Sequence, residues 1–103
     1  MNRLSKLSKP QIQQHIRRTA QDSINVIITQ HASVRMRERA ITNAMLFDVL
    51  RRGLLIREPE PDLRHSGITC LMERYIAGVN IGALVSVDLP AIGIIVNTVF
   101  GVS

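Results

Sequence analysis

The sequence predicts an α+β domain in which N-terminal helices pack on one face of a small antiparallel β-sheet, a meander of three to four strands. Two observations carry that prediction. Apolar residues recur at helical spacing as far as residue 52, and alternate at period two in the second half. Three strand-like runs are separated by Ala77-Gly78 and Leu89-Pro90-Ala91, connections short enough for hairpins. At 103 residues the chain is one domain by length, and folding buries roughly 60–68% of its unfolded surface. Apolar residues make up 46% of it, which excludes a disordered chain. Its aromatics are Phe47, Tyr75 and Phe100, so the core must be aliphatic and base stacking contributes little affinity.

The first helix opens at "SKPQIQQHIRRTAQ". Ser8 and Gln11 form a capping box, Pro10 suits the first turn, and Ile12, Ile16 and Ala20 make a narrow apolar stripe. Such a helix packs at the edge of a core or against a partner, and residues 1–25 are taken as an N-terminal helical extension of a single α+β domain at 26–103. "NVIIT" reads as a short strand, followed by a helix from about Ala32 to Arg39. "ITNAMLFDVLRRG" is the clearest helix. Thr42 or Asn43 caps it, Leu46, Val49 and Leu50 share a face, Arg51 and Arg52 suit the negative end of the dipole, and Gly53 stops it. "LLIRE" is a strand running into the turn-rich "PEPDLRHSG". "ITCLMERYIA" follows; then Val79, Ile81, Ala83, Val85 and Val87 alternate with Asn80, Gly82, Leu84, Ser86 and Asp88, a half-buried strand. "IGIIVNTVFG" is the last strand.

The net charge of +5 is uneven: residues 1–57 carry +8 and residues 58–103 carry −3. Eleven of the thirteen basic residues are Arg, whose planar fork matches phosphate oxygens in pairs. A basic half on a small domain points to an anionic partner, nucleic acid before membrane, although solubility alone accounts for it equally well. The single cysteine, Cys70, excludes an internal disulfide, fits a reducing cytoplasm and sits in an alternating apolar run as a structural thiol. "MNRLSKLSKP" is positively charged without a continuous apolar region behind it, and no apolar stretch approaches a membrane span. The expectation is a soluble, cytoplasmic chain; export as a secreted effector by a non-classical route leaves no mark of this kind.

One stretch concentrates chemistry. In "ITQHASVRMRERAIT", His31, Arg35 and Arg39 recur every four residues and line one side of a helix, beside a core-facing stripe of Ala32 and Met36. A charge row is most often a solvated face. Against that, His31 sits near the helix N-terminus, where the positive dipole end draws anions. Arg35 and Arg39 repel each other at this spacing, a local cost that an anionic ligand offsets.

This run, with "NAMLFDVLRRG" and the closing "IIVNTVF", resembles a family of small bacterial domains of unknown function that share a His-Ala-x-x-Arg-Met-x-x-Arg motif and end in a Thr-Val-aromatic strand. That family is similar to the barnase–EndoU–colicin–RelE (BECR) group of metal-independent ribonucleases, many of them toxins of toxin–antitoxin or secreted-effector systems. The resemblance spans about residues 26 to 100. It implies a RelE-like fold, an endoribonuclease that uses no cofactor or metal, RNA as substrate and an antitoxin or immunity protein as partner. It also implies active-site roles for His31, Arg35 and Arg39, with Thr98 contributed by the last strand. Ala40 stands where the family usually has Gly, and Phe100 where Tyr is common.

RNA cleavage of this kind needs a base for the 2′-OH proton, an acid for the leaving 5′-oxygen, and fixed positive charge around the phosphorane. His31 suits either proton-transfer role, and Arg35 and Arg39 suit the phosphate. For the second proton carrier Glu73, Tyr75 and His65 stay open. Strict alternation places Thr98 with Ile94, Val96 and Phe100, a core-like position. His15 reads as solvent-facing. A metal site from His31, His65 and Cys70 lacks ligand spacing. Two other readings use the same residues: a non-catalytic nucleic-acid- or protein-binding module on the basic face, and a structural role in which Arg35 and Arg39 pair with Glu58, Glu60 or Asp62.

Overall fold

The computed structural model describes residues 7–62, 67–88 and 93–102. Residues 1–6 of the N-terminal extension, the Leu89-Pro90-Ala91 turn and His65 lie outside the described residues. The fold is mixed α+β: among the described residues, three α-helices and a six-stranded sheet. In chain order the elements are α1 (Lys9–Thr19), a 3-10 turn (Ser23–Asn25), β1 (Val26–Ile28), α2 (Gln30–Glu38) and α3 (Asn43–Arg52). They are followed by β2 (Leu54–Leu55), β3 (Glu60–Pro61), β4 (Ile68–Ile76), β5 (Val79–Val87) and β6 (Ile94–Val102).

The antiparallel meander β4–β5–β6 forms the centre of the sheet. The expected sheet of three to four antiparallel strands is too small and too uniform. The order is β1-β6-β5-β4-β2, with β3 also on β4, and β1 runs parallel to β6 at the edge. The strands read at "NVIIT" and "LLIRE" are present as β1 and β2, but β1 reaches β6 across the length of the chain, so nothing local announces the pairing, and the two-residue β3 lies below what periodicity can resolve. Ala77 and Gly78 both have positive φ, as a two-residue hairpin of type I′ requires.

One sheet face carries the core. Ile68, Cys70 and Met72 of β4, Ile81, Ala83, Val85 and Val87 of β5, and Ile94, Val96 and Val99 of β6 are buried on it, under Leu46, Val49 and Leu50 of α3. Ile12, Ile16 and Ala20 of the first helix join the same cluster, so α1 is packed into the domain core through its apolar stripe. Burial pushes the Cys70 thiol up to about 12, which fits a structural residue.

Two arginines fasten the helix pair. The C-terminal ends of α1 and α3 meet, and each bears unsatisfied carbonyls and the negative end of a dipole. Arg17 of α1 donates through Nε and Nη2 to the Gly53 carbonyl at 2.9 and 2.7 Å, and to that of Arg52 at 3.1 Å. Arg51 of α3 returns the contact, donating to the Ala20 carbonyl at 2.7 Å and the Gln21 carbonyl at 3.3 Å. Gly53 is required by space: a Cβ there meets the Val49 carbonyl oxygen at 2.2 Å and that of Glu73 at 2.9 Å. Asp48 holds Arg74 of β4 at 2.7 Å, tying α3 to the sheet, with Arg52 at 3.6 Å.

Candidate active site at the N-terminus of α2

Where β1 ends, α2 takes its place beside β6, because Thr29 fastens both. Its hydroxyl accepts from the Ala32 amide at 3.1 Å, capping α2, and donates to the Val96 carbonyl at 2.8 Å, with the Asn97 carbonyl at 3.3 Å. Ala32 and Met36 then sink into the core. At its other end α2 closes in a Schellman motif: the Ile41 amide donates to the Met36 carbonyl at 2.8 Å and the Ala40 amide to that of Arg37 at 3.3 Å. Ala40 occupies the left-handed region at φ 56°, the position at which Gly is favoured.

The strand beside Thr29 is bulged. Leu84 faces Thr98 and Val85 faces Val96, so Asn97 is an extra residue. The bulge reverses the alternation after Val96. Val99 turns into the core in place of Thr98, while Thr98 moves to the opposite sheet face with Leu84 and Thr69. The expected core position of Thr98 is therefore overturned. Asn97 donates to Ser86 Oγ at 2.8 Å, which pins the bulge to the neighbouring strand. Phe100 follows Thr98 onto that face, where its ring covers Gly82; an added Cβ there meets the ring at 2.7 Å.

Thr98 opens into a hollow of about 380 Å³ lined by His31, Arg57, Glu60, Pro61, Asp62, Thr69, Leu84, Asn97 and Thr98. His31 and Thr98, 67 positions apart, thus meet, one from the first turn of α2 and one from the bulged strand. Arg35 and Arg39 do not line this hollow. Both are exposed on the flank of α2, and Arg35 reaches only Glu38 of its own helix, at 3.3 Å. Among the described residues neither pairs with Glu58, Glu60 or Asp62, so the structural pairing considered above is absent there. Among the described residues, the arginine that lines the hollow is Arg57.

Of the side chains left open as second proton carrier, neither described one lines the hollow. Glu73 accepts from Asn80 at 2.7 Å and, like the exposed Tyr75, is not among the lining residues. The carboxylates that line the hollow are Glu60 and Asp62, brought there because β3 pairs Glu60 with Thr69 of β4. A two-residue strand after a proline gives no periodic signal. The bulge did leave one: Asn97 and Thr98 are consecutive polar residues in a β-branched run, and straight alternation sends one of them into the core.

His15 is half-buried on α1 and does not line this hollow; burial, reinforced by Arg18, lowers its pKa. No group of three or more His, Cys, Asp or Glu side chains among the described residues is arranged to hold a metal ion, and no described helix is long and apolar enough to cross a membrane. In comparisons with known proteins, no family model, curated protein or solved structure matches this chain.

Proposed function

We propose that this domain is an RNA-cleaving enzyme of the BECR toxin type whose reaction centre is the hollow at the N-terminus of α2. The observation that carries the reading is the meeting of an imidazole, a carboxylate, a guanidinium and a hydroxyl in one open hollow: His31, Glu60, Arg57 and Thr98. Those are the groups that cleavage by transesterification requires. Glu60 takes the proton of a ribose 2′-OH as O2′ bonds to phosphorus. The P–O5′ bond breaks, and His31 delivers a proton to the departing oxygen, leaving a 2′,3′-cyclic phosphate and a 5′-hydroxyl. Arg57 and the Thr98 hydroxyl hold the phosphate oxygens as charge builds on them. The capping of α2 by Thr29 places the positive end of a helix dipole beside the same hollow. A toxin of this type acts in the cytoplasm and is held inactive by an antitoxin or immunity protein.

The test is incubation of the purified chain with RNA. Cleavage to cyclic-phosphate ends is expected, falling about 10²- to 10⁴-fold in His31→Ala, the range for loss of a positioned acid or base. Growth arrest on expression should disappear with the same substitution. RNA that stays intact at high protein concentration overturns the reading.

A second reading is favoured by a specific feature. The exposed row Arg35–Arg39 lies outside the hollow, and the hollow itself contains two carboxylates that oppose an anion. A non-catalytic module that grips nucleic acid through the row alone predicts salt-sensitive binding without cleavage, unchanged by His31→Gln.

A further inference from the structure

We infer that the exposed flank of α2 is a track for a single-stranded polynucleotide, with Arg35 and Arg39 each taking a phosphate beyond the one seated in the hollow. The inference rests on the proposed RNA-directed function for its polarity, since the row starts at His31, but its evidence is the disposition of arginines over the molecule.

Three guanidinium groups elsewhere have structural work. Arg17 and Arg51 cap each other's helices, and Arg74 is anchored on Asp48. On α2 neither arginine of the row does such work. Arg39 makes no side-chain hydrogen bond or ion pair with any described residue, and Arg35 has only the exposed Glu38 beside it. These side chains nevertheless stand on a fixed rod, held by Ala32 and Met36 in the core, capped by Thr29 and closed by the Schellman turn. Fixed, exposed and unemployed cations are what an extended anion requires.

The spacing selects the anion. Four residues of helix advance about 6 Å, so His31, Arg35 and Arg39 mark three points over about 12 Å. That interval is of the order of the separation between successive phosphates of an extended strand, one charge per nucleotide. The planar fork of Arg accepts two oxygens of each phosphate. A membrane surface fits poorly: the apolar stripe of α2 is already spent on the core, leaving no exposed apolar face to enter lipid. A mononucleotide fills only the hollow and leaves the row unused. The substrate class is therefore a strand of at least three phosphates, lying from the hollow toward the C-terminal end of α2.

The experiment uses the full chain with His31→Ala, so that RNA survives, and measures the binding of uridine oligonucleotides two to eight residues long across a range of salt. Affinity is expected to rise with length until the row is filled. Arg39→Gln should shorten the length at which it stops rising by one nucleotide. Arg35→Gln and Arg39→Gln should each flatten the dependence of log affinity on log salt by about 0.7, one phosphate contact on a single strand. Arg18→Gln, an exposed arginine of α1 outside the row, should change neither. The track is overturned if Arg39→Gln leaves slope and plateau unmoved, if Arg18→Gln acts equally, or if polyglutamate of matched charge competes as well as RNA. Failure of the cleavage reading is separate: intact RNA with wild-type protein sinks catalysis and leaves the track standing, whereas cleavage with an unmoved slope does the reverse.

Discussion

Two groups of arginines share one small domain and do opposite things. Where α1 meets α3, Arg17 and Arg51 reach across to each other's helix ends and satisfy carbonyls that would otherwise face one another unpaired. On α2, Arg35 and Arg39 stand clear of the core and of the hollow beside it. Residue type is the same in both places; what differs is whether an unsatisfied acceptor lies within reach. Two C-terminal helix ends brought together create a local negative field that only cations relieve. The single helix α2 finishes its last turn with its own backbone bonds, through Ala40 and Ile41, and needs neither Arg35, which meets Glu38, nor Arg39 for that purpose.

The largest expected effect tests this contrast directly. Arg17→Met keeps most of the aliphatic stem and removes the bonds to Gly53 and Arg52, so it should cost about 2 kcal/mol, the range for hydrogen bonds from a charged donor. Arg51→Met should cost about as much through Ala20 and Gln21. The same change at Arg39 should stay within about 0.5 kcal/mol. Urea denaturation reads all three as shifts in midpoint at constant m. Equal losses at Arg17 and Arg39 would erase the distinction.

The next effects concern what holds α2 if its arginines do not. Thr29→Val removes both the cap on Ala32 and the bond to Val96, and should lower stability by about 1–2 kcal/mol, with Thr29→Ser restoring most of it. Because the same hydroxyl braces the bulge that aims Thr98, the Val variant should also lose cleavage that the Ser variant keeps. Ala40→Gly works in the other direction. Relief of a left-handed alanine should raise stability by about 1 kcal/mol. A loss at that position would mean that the closing turn of α2 is not what the backbone angles indicate.

The helices were legible because each is written locally: Ser8 with Gln11, Thr42 as a cap, Gly53 as a stop, and apolar stripes at helical spacing. The alternation of β5 was legible for the same reason. Among the candidate site residues, His31 stood out by its place at a helix start, and the hollow does open beside it. Arg35 and Arg39 were recognisable as a row, but which way a row faces depends on where the apolar stripe beside it is buried, and the hollow fell to one end of it. Arg57, Glu60 and Asp62 were out of reach. Glu60 arrives through a two-residue strand whose pairing is decided by β4, with Arg57 and Asp62 on either side of it, and Thr98 arrives through a single extra residue that inverts a strand's faces. A period-two reading has no place for either event.

The smallest effect returns to the helix pair, at His15. Burial and the neighbouring Arg18 both disfavour its protonated form in the folded chain, so the folded pKa lies below the value of 6.5 that the group has when unfolded. The unfolded chain therefore binds the proton more readily between those two values. Stability from this group is fully present above 6.5 and is lost as the pH falls toward the folded pKa. His15→Gln has no proton to bind and should flatten the acid side of the stability profile, leaving stability near pH 8 little changed. The difference in slope should be modest, since the imidazole is only partly buried and Arg18 is exposed to screening. Repeating the profile in Arg18→Gln separates the two causes. Because burial is the larger cause, most of the slope should survive the loss of the neighbouring charge.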